Sequence, residues 1–549
     1  MTPMASAEAK RRDLLVLAAL ALFVFLPGLG NRSLWNPDEP RYAEVAREMR
    51  ISGEWFVPHL NGRIYAQKPP LLMWSMNAAS LVTPATDGTL DEWSARLPSA
   101  LAAVAAILLT FLIARRLASR RAAWLAAVAF GSCVKILWQG HVGQIDMLLA
   151  ALVTLAVWFW VRGYTENRPG FYRLFFVATG LATLAKGPVG LLPPLLSVVA
   201  YLLLTGERSE IRRMRIGTGL LIWAAVVLAW LIPAGIRGGM PYLETIVFKQ
   251  NVTRYADPWH HFQPPWYYLT VIPADFFPWS LLLPSALVVG WRRLWKADDA
   301  RKKAFLFGLC WMVVTVLFFS ISPAKRTVYI LTMYPGMALL VGLALDRWAD
   351  HWRDSAGADR GWLLWPLGFL AALTVLLPIA VPFVAKRQAE ALAPMGSGVV
   401  PATLVALCLL AAGAIAAFWL AARGRVERAG FALAAGAAAL GLTLFLTVLP
   451  RFDAVKSAEP LSEILVERMG PGEPYAIYPR LDAPFLFYTE RFSVELRSIE
   501  DLRELVARPG RIWLLIERDD LAKLDEPLPL VEVARDQDEK DGYILMTKP

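Results

Sequence analysis

The chain has 549 residues, of which 56% are hydrophobic and only 19% charged, and it carries 22 Trp and a net charge of +10. That balance excludes a disordered chain and an ordinary water-soluble domain, and the Trp content suits rings that settle at membrane interfaces. Much of the positive charge lies in short connections between apolar stretches, where anchoring to lipid accounts for it, so no nucleic-acid partner is expected.

The apolar residues fall in about 13 blocks of roughly 20, the length a helix needs to cross the hydrocarbon layer. They lie near 12–30, 93–114, 121–139, 142–162, 171–187, 189–205, 216–235, 276–291, 303–321, 326–346, 361–385, 399–422 and 429–449. The first is longer than a signal-peptide core, and Gly28-Leu-Gly-Asn-Arg32 offers no Ala-x-Ala exit, so it reads as a retained span. If Lys10-Arg11-Arg12 holds the N-terminus inside, every second connection should be basic. The inner connections carry Arg115, Arg116, Arg120 and Arg121, then Arg162, Arg168 and Arg173, then Arg208, Arg212, Arg213 and Arg215, and later Arg292, Arg293, Arg301, Arg423, Arg425 and Arg428. The outer connections are nearly uncharged, as at 139–143, or long, as at 31–92 and 236–275. An odd number of spans then leaves the C-terminus outside. Cys133, Cys310 and Cys408 sit inside the predicted spans at unrelated spacing and frame neither a disulfide set nor a metal site.

The first outer loop carries Asn36-Pro-Asp-Glu-Pro-Arg-Tyr-Ala-Glu44. Asp38 or Glu39 fits a helix N-cap, with Pro40 near the first helical position and Gly53 at the exit. Tyr42, Val45, Ala46 and Met49 share one face, with Arg41, Glu44, Arg47 and Glu48 largely elsewhere, which predicts an amphipathic helix lying along the membrane. Asp38 is either a cap or an active-site carboxylate, and the two are compatible because a helix N-terminus favours the ionised form. Lys68, in Tyr65-Ala-Gln-Lys-Pro-Pro70, is either a snorkelling anchor or a phosphate contact aided by Tyr65 and Arg63. Asp146 and Lys186 lie just inside the outer ends of spans, where ionisable groups pair with each other or serve a site.

In the second outer loop, Arg254 offers a fork for phosphate. His260 and His261 face a ligand or a metal, although adjacent histidines lack the i,i+4 spacing of a helical metal pair. Ser322-Pro-Ala-Lys-Arg326, with Tyr329 a turn later, is a compact basic outer turn in which Lys325 and Arg326 read as anion contacts or interfacial anchors.

From about 451 the character changes. Tyr475–Tyr478, Phe485–Tyr488, Ser493–Leu496 and Ile512–Ile516 are short β-branched and aromatic runs that read as strands, and Ile499–Ala507 has helical spacing. The expected fold is a polytopic α-helical membrane protein with about 13 spans and outer juxtamembrane helices over 1–450. A small outer α/β domain follows over 451–549 and reads as a stabilising or docking cap.

The order Asp-Glu-x-Arg-Tyr, then Tyr-x-x-Lys-Pro, then a small outer C-terminal domain resembles the polyprenyl-phosphate-dependent membrane glycosyltransferases of GT-C type, a superfamily that includes the protein O-mannosyltransferases. Leu34-Trp-Asn-Pro-Asp-Glu-Pro-Arg-Tyr-Ala-Glu44 and Trp55-Phe-Val-Pro-His-Leu-Asn-Gly-Arg63 most resemble the bacterial aminoarabinose transferases acting on lipid A. The resemblance implies an inverting glycosyltransferase of the bacterial inner membrane, N-terminus cytoplasmic, with its active site and C-terminal domain periplasmic. It implies a monomer that takes an undecaprenyl-phosphate-linked sugar as donor and lipid A as acceptor. It makes Asp38 and Glu39 the catalytic carboxylates, beside Arg41 and Tyr42. Tyr65, Lys68, Arg254 and Tyr329 fall around the carrier phosphate, and Asp146 and Lys186 line the same cavity. Many relatives have Glu before the motif lysine where this chain has Gln67, so no cofactor is assumed and a divalent metal stays an open alternative. A protein or glycan acceptor on the same fold, or a lipid-linked sugar transporter, remain the competing readings.

Overall fold

The computed structural model describes residues 3–83, 89–253, 255, 261–294, 299–352, 357–524, 526–536 and 542–548. Each apolar block runs along helical backbone for most of its length. In chain order come α1 (Pro3–Phe25), α2 (Glu39–Ser52), α3 (Leu71–Ala79), α4 (Glu92–Leu117), α5 (Arg120–Gly131), α6 (Val134–Gln139), α7 (Ile145–Glu166), α8 (Gly170–Lys186), α9 (Leu192–Leu204), α10 (Arg208–Arg213) and α11 (Ile216–Leu243). Then follow α12 (Tyr267–Asp275), α13 (Leu283–Val289), α14 (Asp299–Ile321), α15 (Tyr334–His351), α16 (Gly357–Arg387), α17 (Val399–Ala422) and α18 (Val426–Thr443). Among the described residues, eight helices are long and apolar enough to cross a bilayer: α4, α7, α11 and α14 to α18, some with short extensions. This is a multi-pass membrane protein.

The other blocks take shorter or broken forms. The block at 121–139 divides between α5 and α6 at Ser132 and Cys133, and the Val134 amide donates to the Phe277 carbonyl at 2.9 Å. Helix α9 has 13 residues, and the block at 276–291 is split into a short turn and α13 near Pro278 and Pro284. Leu221, Ile236, Trp365 and Phe383, on α11 and α16, are 72% to 81% exposed. Water would penalise such surface, whereas acyl chains are as apolar as leucine.

Several of the basic connections are tied down by acids. Asp13 on α1 receives Arg115 at 2.9 Å and Arg120 at 2.5 Å, and Asp346 on α15 receives Arg121 at 2.8 Å. Asp350 takes Arg301 at 2.7 Å.

Helix α2 starts and stops as the sequence predicts, with proline in its first turn and Gly53 in the left-handed region (φ 70°) as its cap. Its expected polar face is not left to water or headgroups, however. Glu44 and Glu48 are as buried as Tyr42, Val45, Ala46 and Met49. The apolar face packs with Met73 and Met76 of α3, and the acidic face is covered by the loop hairpin and the C-terminal residues. That hairpin pairs β1 (His59–Leu60) with β2 (Arg63–Ile64), and its Asn61 and Gly62 amides donate to the Glu48 carboxylate at 2.5 and 2.9 Å. The helix is sandwiched rather than floating.

Beyond Asp453 come helices α19 (Glu459–Arg468), α20 (Ala483–Thr489) and α21 (Ile499–Ala507). The strands are β3 (Tyr475–Tyr478), β4 (Val494–Glu495), β5 (Trp513–Glu517), β6 (Val531–Arg535) and β7 (Tyr543–Thr547), in sheet order β4-β3-β5-β7-β6. The parallel pairs β3–β4 and β3–β5 adjoin antiparallel β5–β7 and β6–β7. The run Phe485–Tyr488, expected as a strand, is part of α20. Pro484 sits in its first turn, and all of Ala483–Phe487 is buried, so a continuous apolar run carried no period to separate strand from helix. This unit grips the first outer loop. Asp453 accepts from the Ser33 amide at 2.9 Å and the Trp35 indole at 2.7 Å, Asn36 donates to Asp482 at 2.6 Å, and Tyr488 donates to Glu92 at 3.0 Å while accepting from the Leu34 amide at 2.6 Å.

Burial, with Glu44 beside it, raises the Glu48 carboxyl from 4.5 to about 7 against the pull of the Gly62 and Asn61 amides. A carboxyl raised on folding stabilises the fold most while protonated, so this contribution falls as pH climbs from about 4.5 to about 7. Thermal unfolding in detergent should therefore lose stability across that interval in the parent protein, and Glu48→Gln should flatten the dependence. An identical pH profile in both proteins would show that Glu48 does not titrate in the fold.

Candidate active site

The local chain around Asp38 is fixed by its neighbour. Glu39, 3% exposed, accepts from Arg32 at 2.9 Å, from Arg96 at 2.8 and 3.2 Å, from the Gly143 amide at 2.8 Å and from the Trp35 amide at 3.3 Å. Arg96 is fully buried on α4 and also donates to the carbonyls of Leu29, Arg32 and Ser33. Although burial alone would raise the Glu39 carboxyl, the two guanidiniums and the Gly143 amide hold it at about 2. Five donors occupy its two oxygens, an arrangement that suits a positioning role for Glu39. It pins the Asp38 loop to α4 and to the 139–143 turn.

Asp38 occupies the cap position but caps nothing: its side chain makes no hydrogen bond to the helix. One oxygen, Oδ2, accepts instead from Arg326 at 3.1 Å and from the Gln144 carboxamide at 3.2 Å. Gln144 immediately precedes α7, whose second residue is Asp146. Asp146 is paired with Lys186 at the end of α8, and the Lys186 ammonium lies 4.7 Å from the centre of the Tyr329 ring. Tyr42 is buried among Asp38, Tyr65 and Asp146, and desolvation followed by those negative neighbours raises its phenol well above the usual range. Arg41, one residue earlier, is half-buried.

Beside this cluster opens a cavity of about 360 Å³. Lys68, Lys186, Tyr329, Asn251 and Gln250 supply polar groups to its wall, and Leu149, Pro188, Val189, Leu192, Phe318 and Phe319 supply the rest. Gly187, in the left-handed region (φ 82°), ends α8 so that the chain passes under Asn251, whose carboxamide fills the space a Cβ would need. A wall that joins two ammonium groups to an apolar trough suits a phosphate joined to a hydrocarbon chain.

The structure thus brings together Asp38, Tyr42, Tyr65, Asp146, Lys186, Arg326, Tyr329 and Lys68. It places Lys325 elsewhere. That side chain is 3% exposed and its ammonium donates to the carbonyls of Ser322 at 2.6 Å and Gln263 at 3.0 Å, so it staples two loop segments together. His261 is exposed and adopts φ 65°, and its carbonyl accepts from the Lys325 amide at 3.0 Å. Arg254 and His260 lie outside the described residues. No group of three or more His, Cys, Asp or Glu among the described residues could hold a metal ion. Asp38 and Asp146, the carboxylates nearest the cavity, each already face a cationic side chain, so the donor set does not fit a divalent ion. Sequence reasoning missed Arg32, Arg96 and Gln144. A charged residue such as Arg96 inside an apolar block was the available signal.

The fold is that of the lipid-carrier-dependent membrane glycosyltransferases. Residues 67–232 match the family described as dolichyl-phosphate-mannose-protein mannosyltransferase. The structure superposes on the crystal structure of ArnT from Cupriavidus metallidurans bound to undecaprenyl phosphate with a TM-score of 0.81 and 24% identity, covering 97% of this chain and 98% of that one.

Within that class the sequence is related to the undecaprenyl phosphate-alpha-4-amino-4-deoxy-L-arabinose arabinosyl transferases. It is 33% identical to the one from Pectobacterium carotovorum over 67% of this chain and 65% of the relative. It is 31% identical to one from Pseudomonas fluorescens over 61% of this chain and 58% of the relative, so neither relative is matched over two thirds of its length.

Replacing Glu39 with Gln leaves two buried guanidiniums without a counter-charge and should cost about 3–5 kcal/mol of stability. Because the folded carboxyl sits at about 2 against 4.5 when free, its contribution is intact above about 4.5 and lost as pH falls toward about 2. Calorimetry at neutral pH should show a lowered Tm for Glu39→Gln, and the gap to the parent should close with acid; equal Tm values at neutral pH would remove Glu39 as the pin.

Proposed function

We propose that the protein transfers aminoarabinose from undecaprenyl phosphate to a phosphate of lipid A at the periplasmic face of the bacterial inner membrane. The observation that carries this reading is the cavity where Lys68, Lys186 and Tyr329 meet an apolar trough beside the Asp38–Arg326 pair. The related aminoarabinosyl transferases supply the sugar and the carrier. In this reading the N-terminus is cytoplasmic and residues 1–450 cross the membrane about 13 times. Residues 451–549 form a periplasmic domain that steadies the catalytic loop.

The reaction is a displacement at the anomeric carbon. An oxygen of the acceptor phosphate forms the new bond to that carbon as the bond to the carrier phosphate oxygen breaks, with inversion, and undecaprenyl phosphate leaves with the bonding electrons. Charge grows on the leaving phosphate, where Lys68 and Lys186 act as cations placed in advance. The acceptor phosphate has a second pKa near about 6 and needs no base to become nucleophilic. Asp38, held by Arg326 and Gln144, therefore serves to orient and to stabilise positive charge at the sugar, including its ammonium group. Tyr42, Tyr65 and Arg41 shape the sugar and acceptor side. The product phosphate carries a cationic sugar, which lowers its attraction for polycationic antimicrobials such as polymyxin.

Purified protein incubated with undecaprenyl-phosphate-aminoarabinose and lipid A should yield lipid A heavier by one aminoarabinose in mass spectra. Arg326→Gln and Asp38→Asn should each lower kcat by about 10²–10³-fold, the loss typical of a removed transition-state contact, while Lys68→Ala should weaken use of the donor. Transfer to a protein or glycan hydroxyl in place of lipid A would move the protein to another acceptor class. Carriage of the donor across vesicles without any transfer would replace the enzyme with a transporter.

A further inference from the structure

We infer that the protein has a second lipid-phosphate site, on the inner side of the membrane, whose ligand is an anionic phospholipid. At the ends of α8, α10 and α11 away from Lys186 lies a cavity of about 390 Å³, bordered by Arg173, Arg213, Arg215 and Thr218. Arg173 stands in the first turn of α8, Arg213 closes α10, and Arg215 directly precedes α11. Arg213 is partly neutralised by Glu210 at 3.1 Å and also donates to Asn167, while Glu210 in turn accepts from the Tyr172 hydroxyl at 2.5 Å. Arg173 and Arg215 are exposed and have no carboxylate partner among the described residues. Arg215 is held at the lip in the left-handed region (φ 47°), where a side-chain-bearing residue is uncommon.

Inside-positive topology needs only a count of charges on one side, whereas here three arginines converge on one concavity. Other arginines of this face, Arg115, Arg120, Arg121 and Arg301, are matched to Asp13, Asp346 and Asp350. Phe176 closes the back of the pocket by packing into the notch at Gly219, and Gly170 leaves open space at its mouth. The two helices that border the pocket also expose leucines, Leu174 of α8 and Leu221 and Leu228 of α11. A phosphodiester headgroup among the arginines would place its acyl chains on those leucines, which a free phosphate could not use. Basic pockets between helices at the inner face are built for such headgroups. The leaflet named rests on the sidedness proposed above, but the site itself does not depend on the transfer reaction.

Binding of phosphatidylglycerol, phosphatidylcholine and inorganic phosphate to the full-length protein in detergent, followed by native mass spectrometry and thermal-shift titration, tests this. Phosphatidylglycerol should be retained and should raise Tm, and phosphatidylcholine and inorganic phosphate should not. The double variant Arg173→Gln, Arg215→Gln should lose about thirty-fold in apparent affinity, two contacts of about 1 kcal/mol each. Arg173→Gln alone should lose about five-fold, which serves if the double variant does not purify. Arg208→Gln, on α10 outside the cavity, should behave as the parent. Equal retention by parent and Arg173→Gln, an equal effect of phosphatidylcholine, or saturation by inorganic phosphate would each overturn the site. Sugar transfer plays no part in these readouts, so failure of the enzyme reading would leave them intact.

Discussion

The architecture around Asp38 depends on a carboxylate locked between two buried guanidiniums, Glu39 with Arg32 and Arg96. Taking three charges out of water is costly, and only the saturation of each by hydrogen bonds makes the arrangement tolerable. What it achieves is registry. The first outer loop cannot slide or lift without breaking contacts to α4, to the Gly143 amide and to its own carbonyls at Leu29 and Ser33. Asp38, one residue earlier, inherits that rigidity and so can face Arg326 and Gln144, from elements far away in the chain. A loop residue free of such a pin would lack the precision that charge stabilisation requires. The C-terminal unit adds a second clamp through Asp453, Asp482 and Tyr488.

The same economy of charge distinguishes the two sides of the molecule. Asp13–Arg120 and Asp346–Arg121 tie helix ends together. At the Asp38 end, Asp38–Arg326 and Asp146–Lys186 are paired across elements, next to a cavity that Lys68 also lines. An arriving phosphate would meet three cationic side chains there, Lys68, Lys186 and Arg326, against two carboxylates, Asp38 and Asp146. The apolar wall beyond them lowers the local dielectric and strengthens that attraction. Ammonium groups and an apolar trough share one cavity, which suits a phosphate joined to a hydrocarbon chain.

Much of this was legible in the sequence, for physical reasons that vary by region. Apolar blocks locate helical backbone because a bilayer admits little else, yet block length alone did not foresee the break at Ser132 and Cys133 or the segmented stretch around Pro278. Helix α2 was legible from Pro40 and Gly53, but the burial of Glu44 and Glu48 was not, because it takes both the β1–β2 hairpin and C-terminal residues more than 400 positions away in the chain. Asp38, Lys68, Asp146 and Lys186 were visible as charges out of place. The partners that hold them were not, nor were the hydrogen bonds that occupy Glu39 and Lys325. Composition marks where charge is unusual; only the fold says whether it is already spent.

The most direct measurement is a structure of the protein with an undecaprenyl-phosphate-linked sugar analogue bound. The phosphate should lie within hydrogen-bond reach of Lys68 and Lys186, its prenyl chain against Leu192, Phe318 and Phe319, and the sugar toward Asp38. A phosphate bound outside that cavity, with Asp38 and Arg326 remote from the sugar, would contradict the placement of the chemistry.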